Sequence, residues 1–110
     1  MIEEIIQNYL RENAFPCYMS VPEKPSGNFC VLEKTGSSYK DGIFTATLAV
    51  QSYGSSDYAA AQLSHRVVQT MLDADTLPEI VSCTLNTDYN FPDTTRKLPR
   101  YQAVFDVVHY

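Results

Sequence analysis

Apolar residues recur at three- and four-residue intervals at the start of the chain. Ile2, Ile5, Ile6, Tyr9 and Leu10 form one stripe, which predicts an amphipathic helix over 2–13. Glu3 and Glu4 fall in its first turn, where the helix dipole favours anions, and Pro16 marks the exit. The period then shortens. Residues 17–21 fit a short strand, and 22–28, with two prolines, a glycine and a serine, a loop. Over 29–35, Phe29, Val31 and Glu33 alternate with Cys30, Leu32 and Lys34, the signature of a strand. Gly36 to Gly42 is polar and reads as the connection of a hairpin. The longest alternation spans 43–53: Phe44, Ala46, Leu48 and Val50 take one face, Thr45, Thr47, Ala49 and Gln51 the other.

Gly54 breaks that strand, and Ser55 or Ser56 is placed to cap a helix running to about Asp73, with Asp57 in its first turn. Its apolar stripe is Ala60, Leu63, Val67 and Met71, widened by Val68 and Leu72; Pro78 closes the connection that follows. Two more strands read at 80–89 and 99–109, the second with Tyr101, Ala103, Phe105 and Val107 on one side. Between them lies a long tip at 90–100. The order α-β-β-β-α-β-β in one domain over 1–110 predicts an α+β fold: a mixed, mostly antiparallel sheet with two helices packed on one face. Phe105 and Leu48, on the apolar sides of long strands, belong in its core.

Charge narrows the function classes. Eight Lys and Arg against thirteen Asp and Glu give −5. A nucleic-acid module normally presents a basic face that releases counterions from phosphates, so sequence-specific binding to DNA or RNA is disfavoured. The longest apolar run is far short of the ~20 residues of a membrane span. The acidic, amphipathic N-terminus carries no basic n-region, so no secretory signal is visible. Cys17, Cys30 and Cys83 are odd in number and match no zinc spacing; they read as reduced thiols serving as small hydrophobes.

Motifs that would carry chemistry do not assemble. His65 and His109 have no carboxylate or cysteine at ligand spacing, and there is no H-E-x-x-H, C-x-x-C or G-x-S-x-G. Tyr53-Gly54-Ser55-Ser56 precedes a helix as a phosphate-binding loop does, but with one glycine and no Lys-Ser/Thr pair it reads as strand exit and cap. The expectation is a protein with no catalytic residue, no metal and no cofactor. One cluster runs against the overall charge: Arg96, Lys97 and Arg100, with Phe91 and Leu98 in the same tip. The cluster reads either as a solvated hairpin tip or as a docking arm for an acidic partner; apolar residues at a tip often meet a partner, and these five are the candidate interface residues. The expectation is a loop too polar to gain much from packing on its own domain, and so mobile.

Four stretches resemble a known family: Val31-Leu32-Glu33-Lys34-Thr35-Gly36, Ala49-Val50-Gln51-Ser52-Tyr53, Leu85 to Phe91, and Tyr101-Gln102-Ala103-Val104-Phe105-Asp106. They are similar to those of prophage-encoded tail-terminator proteins, also called tail-completion or minor tail proteins, and the resemblance extends over nearly the whole chain. It implies a virion structural protein made in the host cytoplasm. Copies would form a homo-oligomeric ring, typically a hexamer, that caps the tail tube and joins it to the head connector. The alternative from the residues alone is a small host α+β ligand-binding domain or an enzyme without a recognisable motif.

Overall fold

Two helices and five strands follow one another as α1 (Ile2–Glu12), β1 (Cys17–Tyr18), β2 (Phe29–Lys40), β3 (Ile43–Tyr53), α2 (Asp57–Met71), β4 (Ile80–Asn90) and β5 (Arg100–His109). A short 3-10 turn at Ala74–Thr76, not foreseen from the sequence, links α2 to β4. The computed structural model describes residues 1–25 and 27–110; Ser26, in the loop expected at 22–28, lies outside the described residues. The fold is α+β. The strands form one sheet in the order β1-β2-β3-β5-β4, parallel between β1 and β2 and antiparallel elsewhere.

Both helices cover the same face. From α1 come Ile2, Ile6 and Leu10, and from α2 Ala60, Leu63, Val67 and Met71. They meet Leu32, Ala46, Leu48, Val50, Ala103, Phe105 and Val107 of the sheet in one core. Leu48 and Phe105 are wholly buried, as the alternation predicts. The Tyr9 hydroxyl donates to the Thr70 carbonyl at 2.7 Å and joins the two helices. Helix α1 ends through Ala14, whose φ of 70° is left-handed, and the Phe15 N–H returns to the Leu10 carbonyl at 2.9 Å. Gln7 and Arg11 then both donate to the Cys17 carbonyl at 3.0 Å, which fixes β1 beside α1. Helix α2 is shorter than expected: it stops at Met71, so Leu72 lies outside the stripe and is exposed.

The first hairpin is longer than its polarity suggests. The ladder runs on to the pair Lys40 and Ile43, so residues 36–40 are strand and only Asp41 and Gly42 turn. Their φ angles, 53° and 84°, are both left-handed, the backbone of the type I′ turn whose twist matches that of paired strands. Pairing needs only backbone donors and acceptors, so a stretch without apolar alternation still forms strand where both faces meet water. A bulge between Lys34 and Gly36 shifts the alternation there. Phe44 also departs from expectation. The sheet outruns the helices at that end, so Phe44 is exposed; it stacks on His109, 5.3 Å away, and meets the tilted ring of Tyr39 at 4.7 Å.

On the uncovered face a smaller cluster of Phe29, Val31 and Tyr53, backed by Val21 and Leu98, sits at one end. The two hairpins turn at opposite ends of a molecule 43 Å long and 24 Å in its other dimensions.

Candidate interaction surfaces

The tip between β4 and β5 is built around an acid, not around its cations. Phe91 N–H donates to the Arg100 carbonyl at 2.9 Å, and Asp93 and Leu98 exchange backbone bonds at 3.0 and 3.1 Å, so the arm continues the ladder past the strand ends. Asp93 is 4% exposed. Its Oδ2 accepts from the Tyr53 hydroxyl at 2.9 Å and from Arg96 Nη1 at 3.1 Å, while Oδ1 accepts from the Arg96 N–H at 3.1 Å. Arg100 adds a second cation, Nη1 lying 3.8 Å from Oδ2. Burial pushes the Asp93 carboxyl up, but the Arg96 N–H, the Tyr53 hydroxyl and the two guanidinium groups outweigh it and hold it below the usual carboxylate range.

Arg100 is the hub of this cluster. Nη1 donates to the Tyr53 hydroxyl at 3.0 Å, Nε donates to the Phe91 carbonyl at 2.7 Å, and the guanidinium lies 4.4 Å from the Phe91 ring centre. Tyr53 in turn stacks on Phe29 with ring centres 4.6 Å apart. The expectation that this loop packs little on its own domain is therefore corrected: Asp93, Tyr53 and Leu98 pin it down. Of the five candidate interface residues, Arg100 and Leu98 are partly buried and Arg96 is half-committed to Asp93. Phe91 and Lys97 are exposed. Asp93 was legible in principle, because an Asp three residues before Arg96 in a turn is placed to accept from its backbone.

Elsewhere the candidates stay apart. His65 is exposed on α2, and His109 is buried at the far end of the sheet. The three thiols are buried, and burial pushes them up to about 11 at Cys17 and about 12 at Cys30 and Cys83, far from the thiolate that nucleophilic or metal chemistry needs. The Ser55–Ser56 turn is a cap: Ser56 Oγ accepts from the Ala59 N–H at 3.1 Å. Among the described residues no helix is long and apolar enough to cross a membrane.

Three further surfaces remain. The uncovered sheet face presents Thr47, Gln51, Gln102, Val104, Asp106 and Val108, all half-buried, with Gln51 Nε2 donating to Gln102 Oε1 at 3.0 Å. The sheet has two lateral margins: β1 covers β2 only at Cys30 and Val31, and β4 is the last strand on the other side. At the end away from the arm, a cavity of about 350 Å³ lies between α1 and the first hairpin, lined by Ile2, Glu3, Phe44 and His109 among others. Glu3 Oε1 and His109 Nε2 are buried there without a hydrogen-bond partner among the described residues.

The four stretches that carry the family resemblance fall in β2, β3, β4 with the start of the arm, and β5. They form one band across the sheet, in which Val31, Gln51, Gln102 and Tyr89 stand side by side. In comparisons with known proteins, neither a family model nor a curated protein matches the chain.

Proposed function

We propose that this chain is a structural subunit of a phage tail: copies of it form a ring that caps the tail tube and meets the head connector. The observation that carries the reading is the pair of uncovered margins on opposite sides of one sheet. A ring subunit needs two different patches that meet head to tail and close by rotation, and the margins of β2 and β4 are two such patches. The resemblance of four adjacent strands to tail-terminator proteins supports the same reading. Light scattering tests it: the expected mass is a multiple of 12.4 kDa well above a dimer. Added to polymerising tail-tube subunits, the protein is expected to fix tube length; unlimited growth in its presence would sink the proposal.

A second reading, a small host ligand-binding domain, draws on the cavity beside Glu3 and His109, where His109 Nε2 has no hydrogen-bond partner among the described residues and Glu3 Oε1 has only the Lys34 ammonium at 3.7 Å, a setting that suits a polar small molecule. A monomer in light scattering with no effect on tube length would favour it.

A further inference from the structure

We propose that the partner of the β2 margin is β4 of a second copy of this chain, laid antiparallel to residues 34–40 so that the sheet runs on from copy to copy. The proposal rests on the ring reading above and names its interface.

Direction and height both fit. Each neighbouring pair from β2 through β3 and β5 to β4 is antiparallel, so β2 and β4 run in opposite directions. Two copies standing side by side therefore bring an antiparallel pair together. The free part of β2 also stands at the same height as β4. Lys34 is level with Leu85 through Leu48 and Phe105; Ser38 is level with Ser82 through Thr45 and Val108; Tyr39 is level with Ile80 through Phe44 and His109. The Tyr110 N–H donates to the Glu79 carbonyl at 3.1 Å, which puts Glu79 level with Lys40. Bulges interrupt both margins, after Lys34 in β2 and after Ile80 and Leu85 in β4.

The side chains brought opposite each other are complementary. Lys40 meets Glu79. Tyr39, 62% exposed, stands opposite Ile80, whose side chain is buried in its own core, and beside the exposed Val81. Lys34 stands in the row of Leu85, with its ammonium 3.7 Å from Glu3 Oε1 of its own chain. Glu33 faces Thr87, so no like charges stand opposite, and Asp41 lies beyond the paired stretch in the turn. From Val67 to Thr95 the chain has no Lys, Arg or His, so the β4 margin with Glu79 and Asp88 is acidic, while the β2 margin offers Lys40, and Lys34 is taken up by Glu3. Lysines and bulges also guard edges against pairing; what speaks for pairing here is the matched height of the two margins and the opposite charges of Lys40 and Glu79. The contact joins two different patches, the head-to-tail kind that forms a ring when its rotation about an axis along the strands closes.

The test is a cross-link at Ser38 and Ser82. Residues directly opposite in an antiparallel pair have Cα atoms about 4.5–5.5 Å apart, within disulfide range. The double variant Ser38→Cys/Ser82→Cys, mildly oxidised, is expected to give a non-reducing ladder in multiples of 12.4 kDa. The single variants are expected to give no ladder, since the native thiols are buried. In parallel, Lys40→Glu and Glu79→Lys are each expected to raise the half-assembly concentration by roughly two- to fivefold, and the two together to restore it. These surface changes keep the test decisive if the cysteine variant folds poorly. Wild-type oligomers with no ladder and no charge effect would overturn edge pairing and leave the ring reading standing on another interface. A monomer at every concentration with no ladder would also overturn edge pairing, and the tube-length assay then judges the ring reading separately.

Discussion

Asp93 holds the arm through charge. Its carboxylate is buried among Tyr53, Arg96 and Arg100, and the bonds it accepts keep it ionised below the usual value of 3.8. Asp93→Asn keeps the shape and removes the charge that pairs with both guanidiniums, so at neutral pH it should cost about 1–3 kcal/mol. The pH dependence has a definite sign. A carboxyl whose folded pKa is depressed contributes its stability above the unfolded pKa and loses it as pH falls through the folded one. Urea melts should therefore show the full gap between wild type and variant above about pH 5, closing as pH drops below 3.8; a gap that widens on acidification would mean that the carboxylate is not what holds the arm. Gly54 makes a different demand. A Cβ there would stand 2.5 Å from the Ala60 nitrogen and 2.9 Å from the Ala59 carbonyl carbon, both backbone atoms of α2. Gly54→Ala should accordingly displace the start of the helix and cost about 1–3 kcal/mol in thermal or urea unfolding, although the glycine's φ is not in the left-handed region.

At the scale of elements, the core is where pattern and packing coincide. Phe105 joins β5 to both neighbouring strands and to the core beneath the helices, and it is wholly buried. Phe105→Ala should lower the free energy of unfolding by about 3–5 kcal/mol; a loss below about 1 kcal/mol would mean that the site collapses around the smaller side chain. The same periodicity that places Phe105 made both helices, the strand cores and the α+β order legible, because a buried face imposes its period on the sequence. Where no face is buried, the period vanishes. Residues 36–40 are all exposed and, apart from Tyr39 against Phe44, pair through backbone, so their strand could not be read from an apolar period, although Asp41-Gly42 is the dipeptide that a type I′ turn asks for. Phe44 has the right period and the wrong surroundings, since the helices end before it. The arm's candidate residues were legible as a cluster of cations; their internal partner was not, because the bonds from Tyr53 to Asp93 span 40 residues of chain.

The whole molecule is acidic at −5, with its cations gathered in a few places, and the arm is one of them. If the arm docks on an acidic tail tube or connector, as the proposed ring requires of a protruding basic tip, its three cations cannot share that work equally. Arg100 is folded against Tyr53 and Phe91, and Arg96 spends its guanidinium on Asp93. Lys97 stands at the apex with a left-handed φ of 56° and an exposed side chain. Reversing the two arginines would test the fold as much as the docking: Arg96→Glu sets a carboxylate beside the buried Asp93 and should lower stability by about 1–3 kcal/mol. Lys97→Glu touches neither, so its unfolding free energy should stay within about 0.5 kcal/mol of wild type. Its effect belongs to the assembly. One exposed ion pair contributes about 0.2–1 kcal/mol, and a ring repeats it once per subunit, so a small loss per copy becomes a large loss in capping. Tube-length assays with Lys97→Glu should show longer and more variable tubes than wild type at low salt. Raising the salt should move wild type toward the variant, because screening weakens the same contacts. Equal tube lengths at low salt would return Lys97 to the role of a solvated turn residue and leave the arm as a structure that braces only its own sheet.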